Sequence, residues 1–325
     1  MILVGSTTPA RSNVLRKITS HEMFAPVVSL LALYFISASI SPQFLTAYNQ
    51  YVLVLQTVPL ALLALGESLI IMMGSIDLSP GSVMALTGTI SAILIKQLGV
   101  NPGLGIVAGI VCGTLIGFLN GLMVTKAKIF SFVSSLAILV IGRGLVLILT
   151  QGRSITGLVE FRVFTYTTIL GLPVMVWVFI LLLVVVYVMV KRTSVGLVLY
   201  GLGGNEEAVR VSGVRVDFFK VLAFSLAGTL YGLSGQLMNA RLEIAYPWTG
   251  WGYELDAIAS CVLGGYHLTG GVGNPVGPML GAYVLTMIAN IFVLVGLDPY
   301  FQWVVKGIIL IGAAAVLTRG LRYVK

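Results

Sequence analysis

Residues Lys191 to Lys220 read KRTSVGLVLYGLGGNEEAVRVSGVRVDFFK. They interrupt a chain whose mean hydropathy is +1.04 and whose charged fraction is only 9%. Long apolar runs flank this polar island, and its charges (Lys191, Arg192, Glu206, Glu207, Arg210, Arg215, Asp217 and Lys220) are too dense to remain in hydrocarbon. An excess of Lys and Arg in a short loop marks the cytoplasmic face of a membrane protein. The island therefore sets the orientation of everything around it.

Inside the island the spacing predicts a short capped helix. Gly203-Gly204 break the preceding turn and Asn205 is the N-cap. Glu206 and Glu207 fall in the first turn, where the helix dipole favours carboxylates, and Gly213 is the stop. About 12 Å of helix fits between cap and stop. Such a helix, lying across the cytoplasmic ends of spanning helices, reads as a docking surface; a plain solvated loop is the other reading.

Outward from the island, composition decides the class. With 58% hydrophobic residues and 38 Gly in 325 residues, the apolar surface exceeds what a soluble core of this size hides. Only helices or closed barrels satisfy every backbone group in lipid, and these apolar runs are continuous where a barrel's would alternate. The chain reads as an all-α integral membrane protein. Spans are expected at about 24–40, 51–73, 83–95, 104–125, 129–150, 173–190, 221–238, 255–265, 276–295 and 300–318. Those ten spans place both termini in the cytoplasm: a tail over 1–22 without a cleavable signal pattern, one transmembrane domain over 23–318, and a tail over 319–325.

The net charge of +8 clusters at the ends of apolar runs, at Arg11 to Lys17, Lys126, Lys128, the island and Arg319 to Lys325. That is topology, not a nucleic-acid patch. Arg153 and Arg162 fall in an expected outer loop, where Glu160 offsets them. Spans 83–95 and 255–265 are too short for a hydrocarbon core about 30 Å thick, so each is read as broken or re-entrant, or as continuing through its flanking polar segment. Each adjoins a Gly-rich break, Gly74 to Gly81 (GSIDLSPG) and Gly264 to Pro275 (GGYHLTGGVGNP). Irregular backbone at membrane depth is tolerated only under protein or beside a watery cavity, so both breaks point toward the pathway. Asn101-Pro102 and Asn274-Pro275 each open a Gly-rich span, one running inward and one outward, which suggests an inverted repeat.

Charged groups within or at the ends of spans are Glu67, Asp77, Arg143, Glu254, Asp256 and Lys306. Asp77, followed by Ser79-Pro80, either caps the helix after Pro80 or lines the pathway. Glu254 and Asp256, two apart, face different sides of a helix and make no acid/base pair; one of them suits a helix-start cap. Arg143 requires a partner, with Glu67 or Asp256 expected, and Lys306 snorkels. Tyr246, Trp248, Trp251 and Tyr253 beside Glu254 suit an interfacial belt or a pathway mouth. Cys112 and Cys261 sit in apolar runs as packing residues, and His21 and His267 form no metal pattern. With no GxxxxGK[ST], HExxH or GxSxG, the chain reads as a non-enzyme whose energy comes from a partner or a gradient.

Gly203 to Gly213 (GGNEEAVRVSG) resembles the degenerate EAA loop of ABC-importer permease subunits, with Glu207-Ala208 and Gly213 in the family's places. GSIDLSPGSVMAL (Gly74 to Leu86) and GYELDAIASCVLGG (Gly252 to Gly265) extend the resemblance, which is nearest to the branch importing ribose, galactose, xylose, rhamnose or autoinducer-2. The resemblance implies an ATPase-coupling segment of Gly203, Gly204, Asn205, Glu206, Glu207, Ala208, Arg210 and Gly213. Glu207 and Arg210 would make polar contacts in it. It also implies ATP and Mg bound by a partner ATPase with no cofactor or metal in this chain. Further implied are a periplasmic or lipid-anchored solute-binding protein, a second permease copy or paralogue, and a prokaryotic inner membrane. The candidate pathway residues are Asp77, Ser79, Arg143, Glu254, Asp256, Gly264 and Gly265. A gradient-driven secondary carrier and a membrane-embedded enzyme are the rival readings, and neither needs the capped island.

Overall fold

The computed structural model describes residues 23–298, 300–305, 307–308 and 311–312. Lys306, His21 and the two terminal tails lie outside the described residues.

Among the described residues, apolar runs punctuated by Pro, Asn and Gly become the helices α1 (Phe24–Ile40), α2 (Ala47–Met72), α3 (Pro80–Lys96), α4 (Pro102–Thr125), α5 (Ser131–Thr150), α6 (Val174–Arg192), α7 (Ser194–Val211), α8 (Val216–Leu242), α9 (Tyr253–Leu263) and α10 (Gly277–Leu294), and residues 300–305 are helical as well. Their starts follow local chemistry. Thr46 and Asn101 side chains accept backbone N–H groups at the heads of α2 and α4, and Pro80 and Pro102 occupy the first turn of α3 and α4. By length and composition α2, α4, α5, α6, α8 and α10 can each cross a membrane, and α1 and α3 are shorter apolar helices. The 17 residues of α3 and 11 of α9 span about 25 and 16 Å, so α9 reaches only halfway across a 30 Å core. The expected polar island is largely helical, as α7 and the start of α8.

Two helices carry the packing. In α2 every residue from Thr57 to Met72 is buried. It lies along α8; α3 and α4 pack on α8, while α9 and α10 pack on α2. α4 carries five buried glycines at four-residue spacing: Gly113, Gly117 and Gly121 meet α8, Gly109 lies between α3 and α8, and Gly105 faces Ile95 of α3. A Cβ at Gly113 would lie 2.4 Å from the Gly228 carbonyl oxygen, and one at Gly117 2.2 Å from that of Phe224. Lipid is as apolar as Leu, so helices associate by close approach of their backbones, and a small residue every fourth position permits it.

β1 (Ile155–Thr156) pairs antiparallel with β4 (Ile244–Ala245), between which the hairpin β2 (Thr168–Ile169) and β3 (Leu172–Pro173) lies in sequence. Arg162 forms an ion pair with Glu243 at 2.8 Å, and Glu160 with Lys96 at 2.7 Å. The expected offset of Arg162 by Glu160 is thus corrected: its neutralising partner comes from the end of α8.

Gly113→Val should force α4 from α8 and cost about 1–3 kcal/mol as an overpacked site, whereas Gly144→Ala, with nothing within 4 Å of the new methyl, should be neutral. Thermal unfolding of both variants in detergent, compared with wild type, checks the difference.

Candidate functional site

The capped helix of the polar island is shaped by one residue. Asn205 has φ −159° and ψ 99°, which ends the helix begun at Ser194 and starts a second one; its side-chain oxygen accepts the Ala208 N–H at 3.0 Å. Gly213, at φ +86°, closes it. Gly203-Gly204 do not break the preceding turn as their type suggested, since both remain helical and the break falls at Asn205. Glu206 is braced between Lys220 (2.6 Å) and Arg210 (2.8 Å), whereas Glu207 stands 76% exposed beside exposed Ala208 and Val211. Burial alone raises the Glu206 carboxyl, but the hydrogen bonds and charges of Lys220 and Arg210 outweigh it and hold it below its ordinary 4.5.

Gly203, in the last turn of the helix that ends at Asn205, packs against the membrane domain. A Cβ there would lie 2.1 Å from the Gly271 nitrogen and 2.2 Å from the Met72 oxygen. Those two atoms are themselves hydrogen-bonded at 2.9 Å, joining the loop after α9 to the end of α2. Gly74 and Gly270, both at positive φ, complete the junction. Gly204 has open space around it.

From Gly74 to Ser79 the chain has no regular secondary structure and lies against α5. Its N–H groups are met by side chains: Ile76 by Ser131 (3.4 Å), Asp77 by Glu67 (3.1 Å), Leu78 by Ser135 (3.0 Å) and Ser79 by Asp77 itself (2.7 Å). Tyr231 donates to the second Glu67 oxygen at 3.1 Å, Asn120 to Asp77 at 3.5 Å, and the Ser134 hydroxyl to Asn120. Glu67, Asp77, Ser79, Asn120 and Ser134 are all buried. Asp77 is therefore no cap for α3, whose N-cap Ser79 makes no side-chain cap bond; it pins the turn before it.

This irregular segment delivers the N-terminus of α3 to that of α9. A Cβ on Gly81 would lie 2.2 Å from the Gly250 oxygen, 2.6 Å from Glu254 Oε2 and 3.2 Å from an Arg143 nitrogen. Arg143 donates to the Thr249 carbonyl at 2.6 Å and lies 5.6 Å from the centre of the Trp251 ring; Trp251 meets Trp248 edge-on at 5.4 Å. Glu254 Oε2 is buried without a hydrogen-bond partner among the described residues. The expected pairing of Arg143 with Glu67 or Asp256 is corrected, because Glu67 is consumed by Asp77 and Tyr231 and Asp256 lies elsewhere. Asp256 lines a separate groove with Gln56, Arg241 and Thr286, and neither acid caps α9, whose N-cap is Gly252. Gly264 is buried against Gly277, and Gly265, at φ +89°, turns the chain after α9. Two helix N-termini, a guanidinium, an unpaired carboxylate oxygen and half-exposed indoles thus converge, a set suited to hydroxyl-bearing solutes.

A family of permease components, described as the branched-chain amino acid transport system type, matches residues 51–314. The chain belongs to this permease family. The permease is 37% identical over 295 residues to the ribose import permease protein RbsC of Escherichia coli K12, covering 89% of this chain and 92% of that one. It is 38% identical over 293 residues to RbsC of Bacillus subtilis 168 (89% and 91%). It is 32% identical over 294 residues to the L-arabinose permease AraH of E. coli K12 (90% and 89%). No solved structure matches it. The permease is a membrane-spanning subunit of an ABC-type importer and a multi-pass inner-membrane protein.

Sequence reasoning missed Tyr231, Asn120, Ser131, Ser134 and Ser135, which hold the irregular segment of the permease. Their signal was weak: uncharged polar residues in apolar runs, without a motif, although Ser131, Ser134 and Ser135 share one helix face.

In the permease Lys220→Gln should loosen the capped helix after Asn205, giving faster amide exchange across 206–211 at pH 7. Because the folded Glu206 value is depressed, its contribution is complete above 4.5 and is lost as pH falls through the lower folded value. Exchange in the wild type, corrected for intrinsic rate, should approach that of Lys220→Gln there.

Proposed function

We propose that this permease moves a sugar or related small polar solute, delivered by an external solute-binding protein, and that a partner ATPase drives it through the Asn205 to Gly213 helix. The sugar assignment rests on relatives named for ribose, L-arabinose and D-allose. The docking assignment rests on the exposure of Glu207, Ala208 and Val211 on a capped helix whose inner face is braced. ATP and Mg belong to the ATPase, and two permease copies, or this chain and a paralogue, enclose the pathway.

We read the helix order as ten spans with both tails cytoplasmic, taking the helical residues 300–305 as the start of the last. The parallel packing of α2, α3 and α4 against that of α8, α9 and α10 supports an inverted repeat, as does the pair of caps in which Asn101 accepts the Gly103 N–H and Asn274 the Val276 N–H. Arg143, Glu254, Trp251 and Trp248 form the solute station at the crossing of the two short helices. There Arg143 donates to hydroxyls, the Glu254 oxygen left without a hydrogen bond among the described residues accepts, and an indole face receives the apolar side of a sugar ring. Asp77 and Ser79 shape that station from behind.

Glu207→Arg should leave the chain folded, because the side chain points to solvent, yet cut co-purification of the ATPase at least about tenfold, as expected for reversing a charge in a docked interface, and abolish uptake. Affinity purification from native membranes with mass spectrometry reads it; unchanged ATPase recovery and uptake would sink the docking assignment.

A further inference from the structure

Between α4 and α5 runs an apolar groove of about 530 Å³, floored by Val83 and Leu86 of α3 and walled by Leu119 and Ile141, which are 57% and 60% exposed. Its α4 wall extends from Ile116 to Lys126, about 15 Å of helix. That is half of a hydrocarbon core about 30 Å thick, the depth of one leaflet. At Lys126 the groove meets a second one of about 450 Å³ whose lining carries Lys126, Arg210 and Arg215 against the single carboxylate of Asp217.

The cations there are not fully matched. Asp217 is shared by Lys126 at 3.1 Å and Lys128 at 4.0 Å. Arg210 is turned to Glu206, and Arg215 stacks over Phe218 at 5.6 Å with no acidic partner among the described residues. The head of α8, without a side-chain cap bond, opens beside Arg215. An apolar trench one leaflet deep that ends in excess positive charge and a helix N-terminus has the shape of an amphiphile with an anionic head. We propose that this is a binding site for an anionic phospholipid of the cytoplasmic leaflet, with an acyl chain between α4 and α5 and its phosphate on Lys126, Arg215 and the head of α8. Arg210, on the capped helix, borders the same headgroup.

The test is native mass spectrometry of the full permease in detergent offered equal phosphatidylglycerol and phosphatidylcholine. Wild type should retain phosphatidylglycerol at least about tenfold over phosphatidylcholine, and Lys126→Gln with Arg215→Gln should reduce that preference about 10- to 30-fold. Leu119→Trp, filling the groove from one wall, should displace both lipids, and Ile141→Trp should do so from the other, so a folding defect in one does not decide the matter. Equal retention of the two lipids by wild type overturns the proposal, as does undiminished preference in the charge variant. Tryptophan variants that keep the lipid but lose pairing between permease copies also overturn it, by making the groove a subunit interface.

Discussion

The arrangement depends on a place where the backbone has no room for a side chain. Gly203 rests against the hydrogen bond from the Gly271 N–H to the Met72 carbonyl, so three segments meet there through backbone atoms: the helix leading to Asn205, the end of α2 and the loop after α9. Packed side chains adjust by changing rotamer, whereas backbone in contact with backbone does not yield in that way. If the capped helix after Asn205 is the proposed docking segment, force on it would reach both irregular segments of the membrane domain without an intervening side chain. Gly74 joins them where the first irregular segment begins.

That segment is permitted at membrane depth only because protein groups replace its lost ladder. Glu67 illustrates the balance: a buried carboxylate is costly alone, but here it accepts the Asp77 N–H and the Tyr231 hydroxyl, joining α2, α8 and the break. The segment ends by placing the head of α3 against that of α9 beside Arg143 and Glu254. Only seven residues, Gly74 to Pro80, separate the glycine junction from the proposed solute station. The glycine ladder of α4 holds the opposite side of α8.

Much of this was legible. The hydropathy runs, the cap at Asn205 and the stop at Gly213 act within a few residues of themselves, and the helices follow them closely. Partnerships were not legible, because they join residues distant in sequence: Arg143 with Thr249, Glu67 with Asp77 and Tyr231, Arg162 with Glu243. Gly203-Gly204 read as breakers for the same reason. Glycine within a helix signals either a break or a close approach, and only the position of Gly271 and Met72 distinguishes them.

The most direct test of this linkage is double electron–electron resonance on the assembled importer, with cysteines 112 and 261 replaced. One label pair would join exposed Ser212 to exposed Val272, and a second would join Ser212 to Trp248. If the glycine junction makes the capped helix and the loop after α9 one body, the Ser212 to Val272 distance stays constant between nucleotide-free and ATP-bound states while the Ser212 to Trp248 distance changes. A Ser212 to Val272 distance that shifts with nucleotide would show that the helix slides over the junction, and would contradict the account.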